Sequence, residues 1–241
     1  MFWNTLHLMF AAGLSFLSCA INSYPLNPEK RSTTMRWENP CFQHTRTSSI
    51  SLPPADIPLK DALQQLYRKA NLQKEVAQVL MKRYIPTQGS RITNGFLIEY
   101  LKTANMEGLE FVEESSQSAN CGNNISASLL NDYKHLSTLA VFLEKMVEDE
   151  MYFEHAELYD FMAPVQEKLY ELMCDMHTTI YTVVNATISN HVTRDVMIDD
   201  LRGMSNERSS RFYRDYTIVN KDIEFLSQFS QKYLNISKSL S

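Results

Sequence analysis

The sequence contains the residue types that carry most enzymatic catalysis, but their spacing matches no common catalytic motif. The six histidines, at positions 7, 44, 135, 155, 177 and 191, make no His-Glu-X-X-His pattern, and no Gly-X-Ser-X-Gly nucleophile elbow occurs. Glu154-His155 stands at an expected helix end without a second metal ligand one turn away. The paired carboxylates Asp199-Asp200 and Glu113-Glu114 fall in expected loops, where a solvated charge is the usual role. We therefore expect neither an enzyme nor a metal site.

The glycines and the net charge argue against two further classes of function. Phosphate-binding loops need closely spaced glycines, but the six glycines here lie at positions 13, 89, 95, 108, 122 and 203. Nucleic-acid-binding domains are usually basic, whereas this chain has a formal net charge of -5 at pH 7. We expect no nucleotide or other cofactor and no nucleic-acid partner.

The first 20 residues have the features of a secretion signal. Residues 6–17 are almost wholly apolar, and Ser18-Cys19-Ala20 then supplies the small residues that signal peptidase requires. We expect cleavage after Ala20, because the apolar stretch is shorter than the about 20 residues that span a membrane. An uncleaved anchor is the alternative interpretation, since no Lys or Arg precedes the stretch. The sequence thus predicts a secreted, extracellular protein without stable membrane insertion.

Three N-glycosylation sequons agree with export. Asn124, Asn185 and Asn235 are each followed by one other residue and then by Ser or Thr. All three fall near expected helix ends or in loops, where a glycan can be tolerated. We expect them to be glycan acceptors.

Behind the signal, the sequence divides into a tail and a helical domain. Residues 21–55 are rich in Ser, Thr, Asn, Pro and Arg without an apolar period, which predicts an extended tail. Within residues 56–241, apolar residues recur at three- and four-residue steps in four long stretches, which predict four amphipathic helices. The first is expected to begin at an Asp56 cap with Pro58 in its first turn, and to end at Pro86 and Gly89.

The apolar stripes of the four predicted helices differ in regularity. In the third, Pro164 predicts either a kink or a start near Ala163. In the first, Leu72, Val76 and Val79 are expected to widen the stripe. The main stripes are Leu59, Leu63, Leu66, Ala70, Ala77, Leu80 and Tyr84; Leu129, Tyr133, Leu136, Ala140, Leu143 and Val147; Leu158 to Val183; and Phe212, Tyr216, Val219, Ile223, Leu226 and Tyr233.

The connections between these helices predict a topology. Residues 90–127 form a crossover too long for a hairpin, a few residues join the second helix to the third, and residues 190–209 again form a long connection. This order is typical of bundles in which the first two helices run parallel and the last two return. The predicted fold is all-α: a long-chain four-helix bundle, up-up-down-down, with two long crossover connections.

Short motifs stand at four places along this expected topology. The first helix ends in Tyr84-Ile85-Pro86-Thr87-Gln88-Gly89, and the long crossover contains Cys121-Gly122-Asn123-Asn124-Ile125-Ser126. One cysteine lies in the tail, in Asn39-Pro40-Cys41, and another late in the third helix, in Leu172-Met173-Cys174. Together these motifs resemble the interleukin-6 superfamily of helical cytokines, nearest the leukaemia inhibitory factor and oncostatin M branch. The similarity covers roughly residues 39–234, mostly as pattern.

The resemblance implies a function and a disulfide. It implies a secreted cytokine that bridges two cell-surface receptor chains, the shared signal-transducing receptor of the interleukin-6 family and a leukaemia inhibitory factor receptor-like chain. It also implies a bond between Cys41 and Cys174, although Cys174 as a small buried apolar residue is an alternative. The family counterpart of Cys121 pairs with a cysteine in the fourth helix, which has none here. Cys121 is therefore either free or a link between two chains.

The receptor-binding residues follow from the resemblance with two departures. The chain is acidic, whereas leukaemia inhibitory factor and oncostatin M are basic, and the family motif Phe-X-X-Lys at the start of the fourth helix is here Phe212-Tyr213-Arg214-Asp215. Phe212 is the candidate aromatic anchor, with Arg211 or Arg214 as the cation, but Phe212 also lies on the apolar stripe and a core role is equally consistent.

A second receptor surface is expected on the outward faces of the first and third helices. Tyr170 is expected to be an exposed aromatic residue among polar neighbours, which is a common kind of interface hot spot. A solvated helix face without a partner is the alternative for the whole set. The candidates are Gln64, Gln65 and Arg68 on the first helix, and Gln166, Tyr170 and His177 on the third.

A secreted helical carrier of a lipid or other apolar ligand is the alternative function. The apolar content of 44% and the methionine-rich third helix are consistent with it. A carrier needs an unfilled cavity or helices that open, whereas large side chains on all four stripes indicate a bundle that fills its own interior.

Overall fold

The computed structural model describes seven stretches of the chain, residues 36–41, 57–89, 104–112, 124–153, 156–189, 192–203 and 207–240. All seven lie in one unit of mutually contacting residues, Thr34–Ser241. The expectations that fall outside the described stretches are the signal at 1–20, most of the tail at 21–55, the Asp56 cap, Cys121, Glu113-Glu114 and Glu154-His155.

Within the described stretches, all regular secondary structure is helical. A π-helical turn, Thr179–Val183, directly follows the helix Tyr159–Thr178. A 3-10 turn, Arg194–Val196, precedes the short helix Asp199–Gly203. The α-helices are α1 (Leu59–Gly89), α2 (Ile125–Phe153), α3 (Tyr159–Thr178), α4 (Asp199–Gly203) and α5 (Arg208–Ser239). The prediction of an all-α fold is confirmed.

The starts of α1 and α3 differ from the starts that Pro58 and Pro164 predicted. Pro58 lies just before α1, where its carbonyl accepts two backbone N–H groups of the first turn. α3 begins at Tyr159, so the alternative start near Ala163 is wrong. Pro164 lies inside α3 and removes one backbone hydrogen bond without ending the helix.

The short connection between α2 and α3 is closed by a carboxylate. Glu150, near the end of α2, accepts the backbone N–H of Leu158 through its side chain. Its backbone carbonyl accepts the N–H of Ala156, which has a φ of 61°. These two bonds reverse the chain within a few residues, so α3 starts directly beside the end of α2.

α1 packs against α5 and against α3. Tyr84, late in α1, stacks on Phe212, early in α5, with ring centroids 5.5 Å apart. Gln65, early in α1, donates through Nε2 to Asp175, late in α3, at 3.0 Å. In both pairs, the early part of one helix therefore meets the late part of the other.

α2 packs against the same two helices. Asp149, late in α2, forms an ion pair of 2.8 Å with Arg214, early in α5. Tyr133, early in α2, lies against His177, late in α3, with ring centroids 6.2 Å apart. In these two pairs as well, the early part of one helix meets the late part of the other.

Most residues of the predicted apolar stripes form the core, and the exposed exceptions lie on α1. Every residue of the predicted α2 stripe, Leu129 to Val147, is buried. Leu72 and Val79 are 41% and 49% exposed, so the expectation that they widen the buried stripe of α1 is wrong. The buried stripe of α1 passes through Leu66, Ala70 and Ala77, which turns the two larger residues toward solvent.

The segment 104–112 covers one side of α2. The ring of Phe111 stacks on His135 at a centroid distance of 4.2 Å. Gly108 has a φ of +91°, and a Cβ at this position would stand 2.7 Å from the carbonyl oxygen of Val196. Only glycine fits this close approach, which brings the segment 104–112 against the 3-10 turn at Val196.

Candidate functional site

The middle of the expected tail, at residues 36–41, is fastened to the helices at several points. Cys41 and Cys174 form a disulfide, which is the pair that the resemblance implies. Trp37 is buried, and its indole N–H donates to the carbonyl of Val192 at 2.8 Å. The hydroxyl of Tyr133 donates to the backbone carbonyl of Trp37 at 3.2 Å. Residues 36–41, which we call the strap, thus join α3, α2 and the chain after the π-helical turn.

The strap buries Tyr170, which was expected at the surface. The guanidinium of Arg36 lies 4.0 Å from the centroid of the Tyr170 ring and also binds Glu167, at 2.8 and 2.7 Å. Tyr170 is 2% exposed, and burial raises the pKa of its hydroxyl. The expectation of an exposed aromatic hot spot at Tyr170 is therefore wrong, because the strap covers the ring.

The other candidates on α1 and α3 lie toward solvent. Gln65 and Arg68 are exposed, and Gln64 and Gln166 are half-buried. His177 is half-buried, and burial lowers the pKa of its imidazole. The structure brings the α1 and α3 members onto neighbouring helices, but Tyr170 does not join them at the surface.

Phe212 belongs to the core at the start of α5. It is 3% exposed, stacks on Tyr84, and contacts the rings of Tyr213 and Tyr216 at 5.9 and 6.2 Å. Of the two roles that the sequence left open, the structure places Phe212 in the core role. In this position the ring offers almost no surface to a partner.

The two candidate cations beside Phe212 are buried as well. Arg214 forms ion pairs with Asp149 at 2.8 Å and with Asp215 at 2.7 Å, and all three side chains are less than a tenth exposed. Burial alone would lower the pKa of Arg214, but the two carboxylates outweigh it and raise the pKa. Burial raises the pKa of Asp215 to about 6 despite the neighbouring guanidinium. Arg214 therefore stabilises the contact of α2 with α5 and is not a surface cation.

An exposed group of three large side chains beside α5 was not predicted from the sequence. Met151, Tyr152 and Phe153, at the end of α2, are 53%, 71% and 44% exposed. Arg211 is 7% exposed and lies 4.9 Å from the centroid of the Phe153 ring, which puts these residues next to the start of α5. We call Met151, Tyr152 and Phe153 the edge group. Three consecutive large apolar residues cannot share one helix face, and that was the available signal.

The described sequon asparagines are all exposed. Asn124 caps α2, because its Oδ1 accepts the N–H of Ala127 at 3.0 Å. Asn185 has a φ of 50° just after the π-helical turn. Asn235 lies near the end of α5, where its Oδ1 accepts from Gln231 at 2.8 Å. Each site can accept a glycan without burying it.

A cleft of about 240 Å³ lies beside α2. Its lining includes Glu144 and Arg194, which form an ion pair of 3.0 Å, together with Lys145 and Glu148. Arg202, Val141 and Met197 complete the lining, so charged groups of both signs and apolar side chains share this cleft.

In the described part of the chain, the His, Cys, Asp and Glu side chains include no group of three or more that could hold a metal ion. None of its helices is both long and apolar enough to cross a membrane.

Comparisons with protein-family models, with curated proteins and with solved structures find no match for this chain.

Proposed function

We propose that the chain is a secreted four-helix-bundle cytokine of the interleukin-6 superfamily type. It signals by binding the shared signal-transducing receptor with one surface and a leukaemia inhibitory factor receptor-like chain with another. Bringing the two receptors together activates the kinases on their cytoplasmic tails. The protein supplies geometry and contact energy, and it makes or breaks no bond.

The observation that carries the proposal is the pairing of the four long helices. α1 and α2 each contact α3 and α5, and each contact joins an early part of one helix to a late part of the other. Helices paired in this way run parallel within α1/α2 and within α3/α5, and antiparallel between these pairs. This supports the up-up-down-down topology with its two crossovers, which is found in the growth hormone and cytokine bundles.

The first receptor surface is proposed on α1 and α3. Gln64, Gln65 and Arg68 lie on the outward part of α1, and Gln166 lies on α3. Leu72 and Val79 extend this surface along α1 with exposed apolar area. A polar rim around apolar residues is the usual composition of a protein interface.

The second receptor surface is proposed at the edge group. The resemblance implies a contact at the start of the last long helix, and Arg211 beside Phe153 brings the edge group to that place. Tyr152 is 71% exposed, and tyrosine is among the residues most enriched at interface hot spots. It supplies the aromatic contact that the buried ring of Phe212 does not offer.

Receptor binding tests the proposal. The secreted protein, with its helicity and monomeric state checked, is passed over the immobilised ectodomains of the shared receptor and of the leukaemia inhibitory factor receptor. Tyr152→Ala should weaken binding to the second receptor by about 30-fold, which corresponds to a hot spot of about 2 kcal/mol. The same change should leave binding to the shared receptor unaltered.

Tyr181→Ala is the matched control. Tyr181 is 68% exposed, which is close to the exposure of Tyr152, but it lies in the π-helical turn after α3. Equal losses with both variants would contradict the edge group as a specific surface. A folded protein that binds neither ectodomain would remove the proposed function, and retention of a fluorescent fatty acid by that protein would favour the carrier.

A further inference from the structure

A buried carboxyl group lies between α1 and α5 with one neutral partner. Asp222, in the middle of α5, is 0% exposed. The side-chain amide of Gln73, which is also 0% exposed, donates through Nε2 to the two carboxyl oxygens at 3.1 and 3.5 Å. No charged group is among the causes of the shifted pKa of Asp222, which burial raises to about 7 and the Gln73 hydrogen bond lowers only in part.

The side-chain carbonyl oxygen of Gln73 can still accept a hydrogen bond. Its Oε1 is buried and has no hydrogen-bond partner among the described residues. A buried carbonyl without a donor is costly, and so is a buried carboxylate whose only partner is a neutral amide. One proton on Asp222 meets both requirements, because the acid O–H can donate to Oε1 while Nε2 donates to the other carboxyl oxygen.

The charged and titratable groups that face α5, and those on α5 itself, have partners other than Asp222. On α2, Asp132 accepts from Lys232 and Tyr233 at 2.8 and 2.7 Å, and Asp149 pairs with Arg214. Also on α2, His135 packs against the ring of Phe225, and on α1 Tyr84 stacks on Phe212. On α5 itself, the ammonium of Lys221 lies 3.4 Å from Glu224, and Asp215 pairs with Arg214.

We propose that Asp222 and Gln73 form a proton-binding switch in the core. In acidic solution the pair holds one proton and is joined by two opposed hydrogen bonds, which tie α5 to α1. As the solution approaches neutral pH, the proton leaves to solvent, and only the Nε2 group of Gln73 still donates to a buried negative charge. The contact between α1 and α5 is then weaker.

The sign of the effect follows from the two states of the chain. The ordinary pKa of the aspartate carboxyl is 3.8, and in the folded protein it is raised to about 7. The folded protein therefore binds the proton more tightly than the unfolded chain does. The stability that this proton contributes is fully present below about pH 4 and is lost as the pH rises to about 7.

The first experiment compares wild type with Asp222→Asn by urea unfolding at pH 5 and at pH 8. Asparagine has the shape of the protonated acid and can make the same two hydrogen bonds to Gln73 at any pH. The ratio of the two unfolding equilibrium constants, wild type over variant, should grow by about 100-fold from pH 5 to pH 8. Glu75→Gln is the matched control, since Glu75 is exposed two residues from Gln73, and its ratio should stay nearly constant.

A second experiment reads the proton directly in the wild-type protein. The side-chain carboxyl ¹³C shift of Asp222, assigned by its absence from the spectrum of the asparagine variant, should titrate with a midpoint near 7. A midpoint below 5 would overturn the proposal, even if the variant failed to fold. A constant ratio of unfolding constants between pH 5 and pH 8 would overturn it independently.

Discussion

Removing the Cys41–Cys174 disulfide should destabilise the fold by an amount that its position determines. The two cysteines are 133 residues apart, and the loop that they close contains α1, α2 and most of α3. In the chain-entropy treatment, closing a loop of this length lowers the free energy of folding by about 5 kcal/mol at 25 °C. The double change Cys41→Ser and Cys174→Ser should therefore raise the unfolding equilibrium constant by between about 10³- and 10⁴-fold.

Two optical signals separate local from global effects of this change. Trp37 is the only tryptophan of the chain expected after cleavage at Ala20, and it is buried within the strap. Its fluorescence reports the strap, while far-ultraviolet circular dichroism reports the helices. We expect the urea midpoint to fall in both signals, and a red-shifted emission without loss of helix if the strap detaches first.

The reductant provides the control for this measurement. Reduced wild type should unfold like the double variant, and the double variant should not respond to reductant. If the urea midpoint and the slope of the double variant equal those of oxidised wild type, the loop-entropy argument is refuted for this protein.

The remaining predictions concern a buried charge and a glycine with a positive φ. Arg214→Met should lower the free energy of unfolding by about 3–5 kcal/mol, because it removes the cation that pairs with buried Asp215 and one of the cations that pair with Asp149, which also binds Lys145. Arg68→Met, on the exposed face of α1, should change the free energy of unfolding by less than about 0.5 kcal/mol. Comparable losses in the two variants, measured by urea unfolding, would contradict the assignment of Arg214 as a buried ion-pair partner. Gly108→Ala should cost about 2–3 kcal/mol, from its positive φ and the crowding by the Val196 carbonyl. Gly203→Ala, where a Cβ meets nothing within 4 Å, should be nearly neutral in a thermal melt.

The core of α2 could be predicted because it depends on a local pattern. Leu129, Leu136 and Leu143 recur at the helical period, and their burial follows from the spacing alone. Leu72 and Val79 follow a similar spacing, yet they are exposed. Which of two adjacent apolar stripes is buried depends on where the neighbouring helices lie, and the sequence of one helix does not contain that information.

The candidate site could be predicted less well, because distant residues decide it. Tyr170 has polar neighbours in its own helix, but Arg36, more than 130 residues earlier, covers its ring. Asp222 has the sequence surroundings of a solvated carboxylate, and its burial becomes evident only when Gln73 of α1 is beside it. Phe212 had two interpretations from the sequence, and contact with Tyr84 decides between them.

The strap has a mechanical consequence. A pulling force applied between the tail and the end of α5 first meets the side-chain contacts of Arg36 and Trp37, and it then passes from Cys41 across the disulfide into α3. The covalent bond shields the chain between the two cysteines, so α1 and α2 bear no tension along their backbones. With the bond intact, only the chain after Cys174 can be drawn out, which comprises the end of α3, the π-helical turn and the elements that follow. Reduction would move the point of load to the start of α1 and allow the whole unit to extend.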